Sequence, residues 1–170
     1  MNSIIHLSFQ YTERDYVRAM RAHYASRLKP KLDAVVAVAM ALLGIYFWHS
    51  LDSPWWGIGL ICLSAALVLM LVGAFSVIPK LVFRREPKFR DEYSLTFSPE
   101  DIHFRTAHID SQLQWSMYSR ALVDAHSFIL YHGTNSFTVI PKRVFETAAQ
   151  LALFERLISK KIPEVSTKGA

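Results

Sequence analysis

The residues best suited to chemistry are few and scattered. Four histidines, His103, His108, His126 and His132, fall in the C-terminal half. Imidazoles carry protons and ligate metals near neutral pH. Their spacing follows no ordinary zinc pattern and no cysteine supports them, so no metal site is expected. Glu100, Asp101 and Asp110 sit beside turn signals, where carboxylates are solvated. Lys142 and Arg143 open the last apolar helical stretch and could bind an anion or lipid headgroup beside its N-terminus, or simply be solvated ends of a turn. Trp115 and Tyr118 could frame a ligand pocket, although aromatics at a strand end more often fill a core. The one cysteine, Cys62, lies within apolar sequence that disfavours its thiolate. The chain has no glycine-rich phosphate loop, no His-Glu-x-x-His helix and no Gly-x-Ser-x-Gly elbow. No cofactor is expected, and no catalytic residue is assignable.

The elements that must position these groups belong to two populations. Residues Ala34 to Ile78 are 45 positions with one charge, Asp52, while the other 125 carry every Lys and Arg and 13 of the 14 acids. Such a block is too long and too pure for a globular core helix and reads as membrane. It splits at the turn 52–54 into a first span, 32–51, and a second, 55–79. The uncharged runs cover roughly 27 and 36 Å at helical rise, against a hydrocarbon core of about 30 Å. Asp52 or Ser53 is expected to cap a second helix that starts at Pro54. Trp48, Trp55 and Trp56 form an aromatic belt at one interface.

Orientation follows from Lys and Arg. Six precede the spans, among them Arg27, Lys29 and Lys31, and five follow, among them Lys80, Arg84 and Arg85; the turn has none. Basic flanks stay cytoplasmic, so a multi-pass protein of the cytoplasmic (inner) membrane is expected, with both termini inside. Thirty-three patterned residues before the first span argue against a cleaved leader. The net charge of +5 divides into +3 for residues 1–33, −1 for the turn, +4 for 79–90 and −1 for 91–170. The basic excess therefore hugs the membrane and suits anionic headgroups. Nucleic-acid binding, which needs a basic face on the folded domain, is not expected. Neither uncharged run holds a Lys, Arg, Glu or Asp to carry ions or protons, and His49 and Asp52 stand at the rim, which disfavours transport.

Outside the spans the pattern is strand and helix. Ile5, Leu7, Phe9 and Tyr11 alternate with polar residues, a strand with one buried face. Thr12 to Asp15 resembles a capping box. The amphipathic helix that follows, to about Leu28, could lay its Tyr16, Val17, Met20, Tyr24 and Leu28 stripe on lipid or on protein, and the pattern does not separate the two. Residues 1–31 thus form a strand plus helix, and 80–91 a basic linker that Pro87 ends as non-helical. Residues 92–162 give five or six strands, with a hairpin connection at 132–136, and then a helix from Val144 to Ile158. Residues 163–170 read as a tail. A sheet this small must curl and be covered by that helix. A lone N-terminal strand cannot satisfy its backbone, so it should add to the edge of the C-terminal sheet.

This arrangement resembles the YcxB-like family of small bacterial membrane proteins. The resemblance rests on Thr12-Glu-Arg-Asp-Tyr-Val17, the tight pair of spans, Trp115-Ser-Met-Tyr118, Phe128-Ile-Leu-Tyr131 and Phe137-Thr-Val-Ile-Pro-Lys-Arg-Val-Phe145. It implies a C-terminal domain related to pleckstrin-homology folds, a curled barrel closed by a C-terminal helix, and brings no catalytic residues. The expectation is an α+β membrane protein: a two-helix hairpin that presents a non-catalytic binding module to the cytoplasm. Its partners would be the bilayer and a protein or lipid ligand of the C-terminal domain. Two alternatives stay open. One is an enzyme or enzyme subunit acting on a membrane-borne substrate through His103, His108 or His126. The other is a structural subunit of a membrane complex, whose spans carry the specificity.

Overall fold

A computed structural model describes residues 4–50, 54–133 and 136–167. The chain divides into two compact units, one made of residues up to His23 together with those from Phe83 onward, the other of Tyr24–Val82. The first unit is therefore discontinuous in sequence.

It opens with β1 (Ile5–Gln10), in which Ile5, Leu7 and Phe9 are buried and the residues between them exposed. The strand pairs antiparallel with β2 (Glu92–Phe97), setting Ile5 opposite Phe97, Leu7 opposite Leu95 and Phe9 opposite Tyr93. On the outer face His6 Nδ1 lies 2.9 Å from Thr96 Oγ1, and Ser8 Oγ donates to Glu92 at 2.7 Å. Edge addition, expected from the strand's isolation in sequence, is the arrangement found. β3 (Asp101–Arg105) and β4 (Asp110–Gln114) complete a four-stranded sheet in the order β1-β2-β3-β4.

A 3-10 turn, Trp115–Met117, carries the chain into a second sheet. Its strands are β5 (Arg120–Val123), β6 (Ser127–Tyr131), β7 (Phe137–Pro141) and β8 (Glu164–Thr167), in the order β7-β6-β5-β8. Neither sheet closes into a barrel. The two four-stranded sheets share one core instead, and the helix α5 (Ala148–Lys161) joins them. Its Phe154 is fully buried, with ring centroids 4.7 Å from Phe97 of the first sheet and 5.0 Å from Phe128 of the second.

Helix α5 begins later than its apolar pattern suggests. Phe145 keeps an extended backbone, and its ring packs 5.3 Å from Phe154 and 5.8 Å from Phe128. Thr147 then caps the helix, its Oγ1 accepting from the Gln150 amide at 3.1 Å. The C-terminal residues 164–167 are not a tail but a strand. After α5 has returned the chain, they run parallel to β5, with Arg120 opposite Glu164 and Val123 opposite Thr167.

Helix α1 (Glu13–Arg27) starts at the expected capping box. Thr12 N–H donates to Asp15 at 3.0 Å, and the Asp15 amide donates to Thr12 Oγ1 at 3.2 Å. Val17, Ala19, Ala22 and His23 are buried against protein, whereas Tyr16 and Met20 are only half-buried. The inward face is thus set by small residues rather than by the large apolar stripe.

The second unit contains α2 (Pro30–Ser50) and α3 (Trp55–Val72), antiparallel neighbours; Pro30–Ser50 and the continuous helix Trp55–Arg85 are long and apolar enough to cross a membrane, their most apolar 18-residue stretches having mean hydropathies of 1.7 and 2.6. Asp52 and Ser53, expected to cap the second helix, lie outside the described residues. Pro54 takes the position just before that helix. The seam between the helices is made of small residues at heptad spacing, Ala37 and Gly44 on α2 and Gly57 and Ser64 on α3. Ser64 Oγ donates to the Ala37 carbonyl at 2.7 Å. A Cβ on Gly57 would sit 2.5 Å from the Gly44 carbonyl oxygen, so the backbones touch only because both are glycine.

The second helix continues beyond its expected end. Residues Gly73–Val77 form a π-helical turn, with Ile78 N–H donating to the Gly73 carbonyl, and α4 (Ile78–Arg85) follows directly. Pro79 has no N–H and would clash with the carbonyl four residues back in a regular helix. A widened turn absorbs that clash, so the helix runs on through Lys80, where a linker was expected. Pro87 then ends it and starts a 3-10 turn, Pro87–Arg90.

Two substitutions test this architecture. Leu7→Asp places a charge on the buried face of β1 and should destabilise the first unit by about 3 kcal/mol or more, read by denaturation. Gly57→Leu should leave that unit intact while splaying α2 from α3, seen as loss of a cysteine cross-link engineered between them.

Candidate functional site

The first unit holds a cavity of about 360 Å³ whose walls are mostly aromatic. Each wall residue has a local reason for its place. Tyr11 continues the alternation of β1. The capping box turns the chain so that Tyr16 follows one helical turn later. Pro87 folds the segment after α4 into the short turn that carries Lys88 and Phe89. Tyr93 and Phe104 stand on β2 and β3, Phe137 and Val139 on β7, with His132 and Ser136 at the connection before it.

These rings are held against one another. Tyr11 and Tyr93 meet edge to face at 4.7 Å, as do Tyr93 and Phe104 at 5.8 Å, while Tyr16 and Phe89 are tilted at 4.6 Å. The Tyr11 hydroxyl donates to the Val139 carbonyl and the Tyr93 hydroxyl to the Lys88 carbonyl at 2.8 Å. Burial pushes the Tyr11 phenol far above its ordinary range, with the neighbouring Tyr93 adding to the effect. Burial also raises Tyr93. Both phenols are therefore neutral structural donors, unsuited to proton transfer at pH 7. Besides the Tyr16 phenol, the lining also carries Lys88 and His132, both exposed.

The residues singled out in the sequence fall elsewhere. Lys142 and Arg143 do not open α5; they form a 3-10 turn ahead of it. Lys142 Nζ lies 3.5 Å from Glu155 and 4.9 Å from the centre of the Phe128 ring. Arg143 reaches back to the other end of the chain, where Nη2 is 2.6 Å from Asp15 Oδ2 and 2.9 Å from the Gln10 carbonyl, and Nε also donates to the carboxylate. Trp115 and Tyr118 are core residues, the indole donating to the Ser98 carbonyl at 2.9 Å.

The histidines are exposed and sit on β3 (His103), in the β3–β4 turn (His108), in the β5–β6 turn (His126) and after β6 (His132). His103 Nε2 is 2.5 Å from Asp110, which Arg105 also contacts at 2.8 Å. Those hydrogen bonds hold the Asp110 carboxyl below the usual range, and bonds from Ser98 and Gln112 do the same for Asp101. A general acid needs the opposite shift. Among the described residues no group of three or more His, Cys, Asp or Glu could hold a metal ion.

Of the membrane-flanking cations, Lys29, Lys31, Lys80, Arg84 and Arg85 are exposed, and Arg84 Nε pairs with Glu13 at 2.9 Å. The side chain of Arg27 lies outside the described residues. Trp48, Trp55 and Trp56 are exposed at the adjoining ends of α2 and α3.

Two arrangements were not foreseen. His23 Nδ1 and the Tyr131 hydroxyl are hydrogen-bonded at 2.8 Å in the interior, beneath an Arg120 guanidinium 4.3 Å from the Tyr131 ring centre. The other is the clamp of Arg143 on Asp15. No local spacing signals either, because the partners are 108 and 128 residues apart.

Burial alone would raise the Asp15 carboxyl; hydrogen bonds from Arg143 and Thr12 outweigh it and hold the group below its usual range. A carboxyl depressed by folding adds stability above its unfolded pKa of about 4 and loses it as pH falls through the folded value. Arg143→Ala should cost about 1–2 kcal/mol at pH 7. The gap between the parent and Asp15→Asn in urea denaturation should be constant from neutral pH to about 5 and close below about 4.

No curated protein and no solved structure matches the chain. The family model described as YcxB-like protein matches residues 97–158. From the end of β2 through most of α5, the stretch that carries the phenylalanine contacts joining the two sheets, the chain is therefore similar to YcxB-like proteins, as the sequence resemblance implied.

Proposed function

We propose that this is a protein of the bacterial inner membrane whose α2–α3 hairpin is an anchor and whose discontinuous unit is a non-catalytic, pleckstrin-homology-like binding module in the cytoplasm. The observation that carries this reading is the pairing of β1 with β2. Residues before and after the hairpin contribute to one sheet, so both flanks must lie on the same side of any membrane the hairpin enters. Two crossings satisfy that condition and one does not. The eleven Lys and Arg on the flanks support the cytoplasm as that side. Outward-facing Val38, Leu42 and Leu69, each at least 60% exposed, supply the apolar surface that lipid would cover.

The pleckstrin-homology comparison is supported by the order of elements: seven strands in two sheets, antiparallel throughout, then a helix whose Phe154 packs against both sheets, with the parallel strand β8 added after it. Binding rather than catalysis is supported by the cavity, in which the Tyr11 and Tyr93 phenols are committed to backbone carbonyls. Such cavities take ligands by shape and a few polar contacts.

Topology is tested by thiol labelling in intact cells, in a Cys62→Ala background. Ser50→Cys should react with an impermeant maleimide, and Ser116→Cys should react only after lysis. The reverse pattern would overturn the orientation. The binding role is tested by cross-linking and affinity capture with the full chain, compared with a chain holding only residues 24–82. A protein or lipid retained by the full chain alone is the expected result.

A further inference from the structure

The composition of the aromatic cavity narrows what it can hold. Among the described residues its lining joins six aromatic rings, Phe137 included, to one lysine, one histidine and no carboxylate. A cage for a quaternary ammonium also has aromatic walls, but here the ammonium of Lys88 stands at the lining and repels a cation. Lys88 Nζ is 3.5 Å from Glu86, with the two side chains 62% and 48% exposed. An ion pair that open to water contributes little, so Lys88 can exchange Glu86 for an anion that also places apolar surface on the rings. The volume of about 360 Å³ lies at the small end of ligand sites and excludes a two-chain phospholipid.

We infer that this cavity binds a small organic monoanion, its apolar body against the Tyr11, Phe89, Tyr93 and Phe104 rings and its charged group at Lys88. The inference rests on the reading of the unit as a binding module and names the chemistry of its ligand. Two sources supply that chemistry: a single-chain fatty acid released from lipid, and a soluble aromatic acid.

Calorimetric titration of the full chain in phosphatidylcholine nanodiscs, with heats from empty nanodiscs subtracted, tests it. The probes are octanoate, naphthalene-2-carboxylate and octyltrimethylammonium. At least one anion should bind one per chain and at least 10-fold more tightly than the cation. Saturation by octanoate identifies the acyl source, and saturation by naphthalene-2-carboxylate the aromatic one. Lys88→Gln should weaken the anion 5-fold or more, and Glu86→Gln should tighten it by removing the competitor. Both positions are exposed, so circular dichroism should show the fold unchanged. Failure of both anions to saturate, a cation bound as tightly, or an unchanged affinity in Lys88→Gln would overturn the inference. A partner still captured by the full chain would leave the binding-module reading standing in that event.

Discussion

A strand cannot stand alone. Ile5–Gln10 has backbone donors and acceptors along both edges and three side chains that water disfavours, and the only sheet its alternation fits begins 82 residues after Gln10. Closing that distance fixes much else. Leu7 against Leu95 and Phe9 against Tyr93 complete the inner face of the first sheet. Tyr11 then reaches the Val139 carbonyl on the other sheet, and Arg143 locks the start of α1 through Asp15. The aromatic cavity exists because this N-terminal segment forms one of its walls.

Close approach governs the apolar hairpin in a similar way. Lipid tails are as apolar as leucine, so two helices long enough to cross a membrane would gain nothing there by burying large side chains against each other. They gain by bringing backbones together, which Gly44 and Gly57 allow, and by one interhelical hydrogen bond, from Ser64 to Ala37. In the first unit the large aromatic side chains do the joining instead. Phe154 touches both sheets, and Phe97, Phe128 and Phe145 surround it. Water drives that packing.

The parts legible in the sequence are those set by local pattern. Alternation located β1, β2 and most later strands; the capping box located α1; hydropathy located α2 and α3. What escaped depends on partners distant in the chain. Residues 164–167 carry no strong strand pattern and become a strand only because α5 delivers them beside β5. The helix through Lys80 to Arg85 looked like a linker, because the apolar run gives way to basic residues there and the π-helical turn that accommodates Pro79 has no sequence signature. In the sequence Lys142 and Arg143 read as an anion site or as solvated ends of a turn, whereas in the fold Arg143 meets a carboxylate 128 residues away. The cavity was missed for the same reason, since its lining comes from short pieces of several elements.

The central claim, that one folded unit is assembled from both flanks of the hairpin, is tested most directly by native-state hydrogen exchange of the full chain in nanodiscs. If β1 is integral to the sheet, the cross-strand amides of Ile5–Gln10 should exchange with the same opening free energy as those of β2, and both should respond together to denaturant. Amides of β1 that exchange at unfolded-chain rates while β2 and β3 remain protected would contradict it.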